Sequence, residues 1–329
     1  MKDLRELPKF RDSWSYLYVE HCRVDRENKA IAVHDASGRT PVPCATLCLL
    51  MLGPGTSITH AAIRVLAETG CLVAWVGEQG VRFYANGLGE TRASRNLVRQ
   101  AKLCSDPDLR LKVVLKMYEM RFQEPLPSEV TLQQIRGREG ARVREAYARA
   151  SKETGIPWSG RSYRRDQWGA TDPVNRALSS ANSCLYGICH SAIVSLGYSP
   201  GLGFIHTGKQ LSFVYDIADL YKVETTIPIA FQAVASGEPK LEQTVRKVCR
   251  DTFVEKRLLA RIVSDIEELL LIQVKDAEST IDAQEYLDDD PAWPGGIWDP
   301  FESQEGGINH ADLVCIGSTE EKSDGTHNS

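Results

Sequence analysis

Residues 203–222 read GFIHTGKQLSFVYDIADLYK, a glycine-bearing loop that runs straight into an amphipathic segment. Gly201, Gly203 and Gly208 mark the loop, and Leu211, Phe213, Val214, Ile217 and Leu220 then recur at the spacing of a helix with one buried face. This predicts a helix over 212–221. Among the apolar positions stand one histidine, His206, and two aspartates, Asp216 and Asp219. On a helix the two aspartates are neighbours three residues apart, and the loop ahead of it can bring His206 back toward them. These are residue types that hold divalent cations, although a lone aspartate on a helix is more commonly just solvated.

The helical texture extends both ways from this stretch. Runs rich in Ala, Leu, Arg, Lys and Glu predict helices at 91–105, 107–122, 131–154, 174–196, 226–236 and, with breaks, 242–272. The longest interruption, 156–173, carries the basic-aromatic run RSYRRDQW, a composition suited to nucleic acid. Ahead of residue 90 the pattern differs. WSYLYVE, CRVD, KAIAVHD, CATLCLLML, CLVAWVG and GVRFYANG are short strand-like runs separated by turns such as 35–38, and the last two are joined at 78–80 as a hairpin. One helix intervenes, capped by Ser57 or Thr59, striped by Ala61, Ala62, Val65 and Leu66, and closed by Gly70. The expected fold is α+β: a small β-rich, β-sandwich-like domain over 1–89, an all-helical domain over 90–275 and an acidic, flexible tail over 276–329.

The predicted helix 131–154 carries the next clue. Its apolar positions Leu132, Ile135, Val143 and Ala146 leave a gap that Glu139 fills, four residues from Ile135 and four from Val143. A carboxylate on the inward stripe needs compensation. Either Arg136 or Arg142 on the same helix supplies it, or a metal ion shared with His206 and Asp219 does. Two carboxylates and one imidazole favour Mg²⁺ or Mn²⁺ with open water positions over a closed structural zinc site. Around the three lie Arg82, Arg110, Arg136, Arg138, Arg142, Arg144, Lys209, Lys222, Arg246 and Arg250, either phosphate contacts or ordinary surface charges.

Composition narrows the class. The 329 residues include 42% hydrophobic letters, enough for a sizeable core, and neither a signal-like start nor a membrane-length apolar run is evident, which places the protein in the cytoplasm. The nine cysteines form no C-x-x-C pair and sit mostly in apolar surroundings, the pattern of buried thiols. The net charge of −5 hides a division: fourteen Asp and Glu face Lys322 alone from Asp276 onward, leaving thirty acidic and thirty-eight basic residues before it. A basic body suits a polyanion, and an acidic tail either masks that body, contacts another subunit or serves solubility.

Four motifs in order, VGEQGVRFYANG, RGREGARVR, SCLYGICHSAI and the 203–222 stretch, resemble the adaptation integrases of CRISPR systems in their type I-E form, over about residues 13–272. The resemblance implies a metal-dependent DNA endonuclease and integrase, with a metal site made by Glu139, His206 and Asp219 and with Asp216 as an accessory carboxylate. It also implies a homodimer built through the β-rich domains, two such dimers flanking a dimer of a small ferredoxin-like partner. The assembly would insert short duplex DNA, the new spacer, into the CRISPR array beside its leader. Arg82, Arg110, Arg136, Lys209 and Lys222 would hold phosphates, and Tyr163 would contact a base. Tyr186 is either an active-site support or helix core. His21 stands where the type I-E form places a duplex-bracing tyrosine, and the tail has no match. A structure-selective repair nuclease and a non-catalytic DNA scaffold are the competing readings.

Overall fold

A computed structural model describes residues 16–28, 30–44, 47–87, 94–127, 129–161 and 172–272. All of them fall in the unit Met1–Val274; Tyr163 and the acidic stretch 276–329 lie outside the described residues. The protein is a mixed α+β molecule, β-rich first and helical after.

The β-rich part contains eight strands among the described residues: β1 (Tyr16–Val19), β2 (Arg23–Glu27), β3 (Ala30–Asp35), β4 (Gly38–Val42), β5 (Leu49–Leu52), β6 (Ser57–Ile58), β7 (Leu72–Val76) and β8 (Phe83–Gly87). They form two four-stranded sheets, ordered β1-β5-β7-β8 and β4-β3-β2-β6. In the first, β5 runs parallel to both β1 and β7, and β8 closes antiparallel as the hairpin expected at 78–80. The continuous apolar run of β5 has a physical reason. Leu49 and Met51 face the helical core, while Leu50 and Leu52 face a second core shared with Val24, Ile31 and Val33 of the other sheet. A strand covered on both faces needs no polar alternation. Helix α1 (His60–Glu68), capped by Thr59 through Ala62 N, closes that second core with Ala62, Val65 and Leu66.

Strands β4 and β6 have no counterpart among the sequence expectations. β4 is an exposed edge strand carrying Pro41, and β6 is only two residues long, so neither shows an apolar period.

The helices follow the sequence closely: α2 (Arg95–Ser105), α3 (Pro107–Phe122), α4 (Leu132–Thr154), α5 (Pro173–Ser195), α6 (Ser212–Ala218), α7 (Thr226–Ala235), α8 (Leu241–Glu255) and α9 (Leu258–Leu270). Asp106 caps α3 and Pro107 occupies its first position; Thr131 and Gln134 form a reciprocal capping box on α4. The break expected within 242–272 falls at Arg257, whose φ is 48°. Helix α5 is buried on almost every side, as its all-round apolar sequence requires, and forms the hub against which α7, α8, α9 and the first sheet pack. At Gly187 this helix meets the first sheet closely. A Cβ there would lie 2.9 Å from the backbone of Arg82 and from the Gly80 carbonyl oxygen, so glycine lets α5 rest directly on the β7–β8 turn. Six of the eight described cysteines are buried, and no described helix is long and apolar enough to cross a membrane.

Candidate functional site

Helix α6 ends at Ala218, shorter than the predicted 212–221, and Asp219 follows as its C-cap with helical φ and ψ of −63° and −18°, so the two aspartates differ in the side of the turn they face. Asp216 points inward and is fully buried, whereas Asp219 sits at the C-cap, partly open to solvent. The buried carboxylate has definite work. One oxygen accepts from the Phe204 and Ile205 backbone N–H groups at 2.6 and 3.0 Å, and the other from His206 N at 2.9 Å and from His206 Nδ1 at 2.7 Å. Asp216 therefore pins the 204–206 loop and fixes the imidazole. With the carboxylate ionised, Nδ1 carries the proton and the Nε2 lone pair is left free. The hydrogen bond to Asp216 also raises the His206 pKa above its ordinary value, against the opposing effect of burial.

Glu139 projects from α4 with its side chain largely covered, and Asp219 approaches from the end of α6. The same buried side chain lies between them. Arg121, in the last turn of α3 and only 4% exposed, directs Nη1 to Glu139 Oε1 at 3.7 Å and Nη2 to Asp219 Oδ2 at 3.5 Å. Its Nε is buried and has no hydrogen-bond partner among the described residues. Each carboxylate also holds a more exposed cation from three residues further along. Arg142 forks onto Glu139 at 2.9 and 3.1 Å, and Lys222 reaches Asp219 Oδ1 at 2.6 Å.

The three expected ligands do not form one tight cluster: among the described residues, no group of three or more His, Cys, Asp or Glu side chains is placed to hold a metal ion. Instead His206 is paired with Asp216, and Glu139 with Asp219 through Arg121. The charge of Glu139 is compensated by Arg142 on its own helix and by Arg121 from another, with no ion pair to Arg136 among the described residues. The donor set still fits a hard dication. Two partly exposed carboxylates and an imidazole with a free Nε2 are suitable donors, and the cations now facing the carboxylates supply charge that a dication can replace.

The other expected contacts divide by environment. Lys222 lies 5.1 Å from the Tyr186 ring centroid, and Tyr186 makes an edge contact with Tyr215, itself 6.0 Å from the His206 ring. Tyr186 thus stands beside Lys222 and Tyr215 and is also packed against the helical core. Arg110 and Arg136 flank a cleft of about 320 Å³ that opens beside Phe204 and Ile205. Arg110 is already engaged, donating Nε and Nη2 to the Phe204 carbonyl oxygen at 2.8 and 2.7 Å, whereas Arg136 is exposed. Lys209 is exposed on the turn before α6, and Arg82 is exposed on the β7–β8 turn. His21 is exposed at the turn after β1, with φ 50° and its N–H bonded to the Pro54 carbonyl, away from the carboxylates in sequence and element. Arg138 pairs with Glu124, and Arg250 with Glu78 and Asp251, so these two serve surface ion pairs.

Sequence reasoning passed over Arg121. A signal was present: Leu109, Val113, Met117 and Arg121 repeat every four residues along α3 and all are buried, so a charge occupies the inward stripe just as Glu139 does on α4.

Carboxylates, a backed imidazole and surplus cations make a polar site suited to an anionic ligand, set in a helical layer beneath a β-rich one. The sequence matches the family model for CRISPR associated protein Cas1 over residues 15–124 and 115–268, and the chain belongs to that family. It is 55% identical over 307 residues to CRISPR-associated endonuclease Cas1 2 of Thermus thermophilus, covering 93% of each chain. It is 44% identical to CRISPR-associated endonuclease Cas1 of Escherichia coli K12, covering 79% of this chain and 86% of that one. A crystal structure of a TtCas1–DNA complex superposes with a TM-score of 0.77 at 58% identity, covering 81% of this chain and all of the other.

Proposed function

We infer that the protein is an endonuclease and integrase of CRISPR adaptation, which binds duplex DNA and joins it into the CRISPR array. Family membership supports this reading, and one observation in the site carries it: Glu139 and Asp219 held on either side of a buried guanidinium, beside a His206 whose Nδ1 is engaged by Asp216.

The chemistry follows from what these groups can do. A 3′-hydroxyl of the incoming duplex attacks a phosphodiester in line; the new P–O bond forms as the old one breaks, so one ester is exchanged for another and no external energy source is needed. With water as the attacking group the same displacement is hydrolysis. Glu139, His206 through Nε2, and Asp219 would hold Mg²⁺ or Mn²⁺, which when bound supplies Lewis-acid stabilisation of charge on the scissile phosphate. Asp216 acts on the reaction by orienting His206 rather than by touching DNA. Lys222, Lys209, Arg82, Arg110 and Arg136 hold phosphates, with Arg136 and Arg110 lining the approach beside the 204–206 loop. Phosphate contacts of this kind give affinity that is steeply salt-dependent and largely indifferent to sequence.

The finer assignments belong to the same proposal. These are the type I-E form, the sandwich packing of the two sheets, the division at residues 89/90 and 275/276, base contact by Tyr163 and duplex contact by His21. The working unit is proposed to be a cytoplasmic homodimer acting with a small ferredoxin-like partner subunit. A duplex has two 3′ ends, and a two-fold assembly gives each end its own site.

The test is joining of a short duplex with free 3′-hydroxyls into a supercoiled plasmid carrying a leader and repeat, with the partner added, in Mg²⁺, Mn²⁺ or chelator. Joined product in either metal and none in chelator is expected. Duplex binding without joining or cutting in both metals would favour a DNA scaffold instead.

A further inference from the structure

We propose that Arg121 is the resident counter-cation of this site: a positioning residue that balances Glu139 and Asp219 when no dication is bound and competes with a dication for them. The inference rests on the metal reading above and adds to it a residue that neither the ligand set nor the DNA contacts include.

Burial and reach both single out Arg121. Its guanidinium lies on the inward stripe of α3 against the Tyr118 ring, 5.2 Å from the ring centroid, and cannot turn out to water without leaving the core. A charge so placed is retained only with opposite charges beside it. Among the described residues, it is the side chain whose ion pairs reach both Glu139 and Asp219, so one rigid fork sets the spacing between groups carried on α4 and at the end of α6.

The clamp is nevertheless slack. Its two contacts, at 3.5 and 3.7 Å, exceed the 2.7–2.9 Å of well-formed charge-assisted hydrogen bonds, and Nε has no partner among the described residues. The carboxylates thus keep lone pairs for another partner. Arg142 and Lys222 differ from Arg121 in kind. Each makes a short contact with one carboxylate three residues away, and each keeps about a quarter of its side chain exposed, against 4% for Arg121. Arg121 stays, and its fixed charge weakens the dication while holding the carboxylates in place.

Removing the charge should therefore tighten metal binding and slow the reaction together, a combination that a purely structural arginine does not produce. Mn²⁺ titration, followed by the electron paramagnetic resonance signal of the free ion, compares wild type, Arg121→Met and a Glu139→Gln control. Thermal unfolding with and without Mn²⁺ gives a second readout. Arg121→Met is expected to bind Mn²⁺ about tenfold more tightly, the scale of one charge–charge term at a partly screened site. It should also gain a larger rise in Tm from Mn²⁺ than wild type and join DNA more slowly. If Arg121→Met does not fold, Arg121→Gln, neutral and of similar reach, is measured in its place with the same expectation. Equal Mn²⁺ affinity and an equal metal-induced shift in wild type and variant would overturn the proposal. Absence of Mn²⁺ binding in wild type and variant alike, at the level of the Glu139→Gln control, would instead remove the metal reading and this inference with it.

Discussion

His206 Nδ1 stands 2.7 Å from Asp216 Oδ1, and the same carboxylate accepts the backbone N–H groups of Phe204, Ile205 and His206. One buried aspartate thus fixes both the loop that carries the imidazole and the imidazole itself. The Asp216→Asn variant keeps the shape but loses the charge, and its amide nitrogen faces donors. It is expected to lose about 1–3 kcal/mol of stability, the cost of leaving buried polar groups unsatisfied, measured by urea unfolding. DNA joining should fall with it. Unchanged stability would show that the loop is held by other contacts.

The contact of Gly187 with the Arg82 backbone and the Gly80 carbonyl leaves no room for a methyl group. Gly187→Ala must push α5 away from the β7–β8 turn, at about 1–3 kcal/mol for an overpacked core position. A fall in Tm is expected, with weaker duplex binding because Arg82 shifts with its turn. A Tm equal to that of wild type would contradict the close approach.

His190 stacks on Phe83 with ring centroids 3.9 Å apart, and burial lowers its pKa to about 4. In the unfolded chain a histidine titrates near ~6.5. Between those values the unfolded state takes up a proton that the folded state refuses, so stability falls as pH falls across that window and is unaffected above it. Replacing His190 with Leu should flatten this part of the stability profile, read from denaturation midpoints at about pH 7 and about pH 5. An identical acid slope in the variant would assign the loss to other groups.

Arg136 is exposed at the cleft, while Arg110 is bound to the Phe204 carbonyl. The Arg136→Ala change is expected to reduce the slope of log affinity against log salt by about one for duplex DNA, with little effect on Tm. Arg110→Ala should lower Tm as well, since the 204–206 loop loses an anchor. A salt slope unaltered by Arg136→Ala would place the duplex elsewhere.

Local rules explain why so much of the fold was legible in the sequence. The capping signals at Asp106-Pro107 and Thr131 set the starts of α3 and α4, and the unbroken apolar run of β5 marks a strand covered on both faces. The site was legible where a charge interrupts an apolar stripe, as Glu139 does. It was not legible where long-range placement decides. No spacing rule separates Asp216 from Asp219, because their different environments follow from the burial of Asp216 and from the path of the 204–206 loop that its carboxylate binds. Nor does spacing reveal that Arg121 meets Glu139, since that depends on how α3 packs beside α4.

The most direct test measures duplex binding and strand joining in the same samples, for wild type and His206→Ala, with Mn²⁺ or Mg²⁺ and the proposed partner subunit. The expected result is unchanged duplex affinity with joined product lost, since the proposal assigns the imidazole to the reacting phosphate and the basic side chains to the duplex. Joining at the wild-type rate in His206→Ala would contradict a catalytic centre built from Glu139, His206 and Asp219.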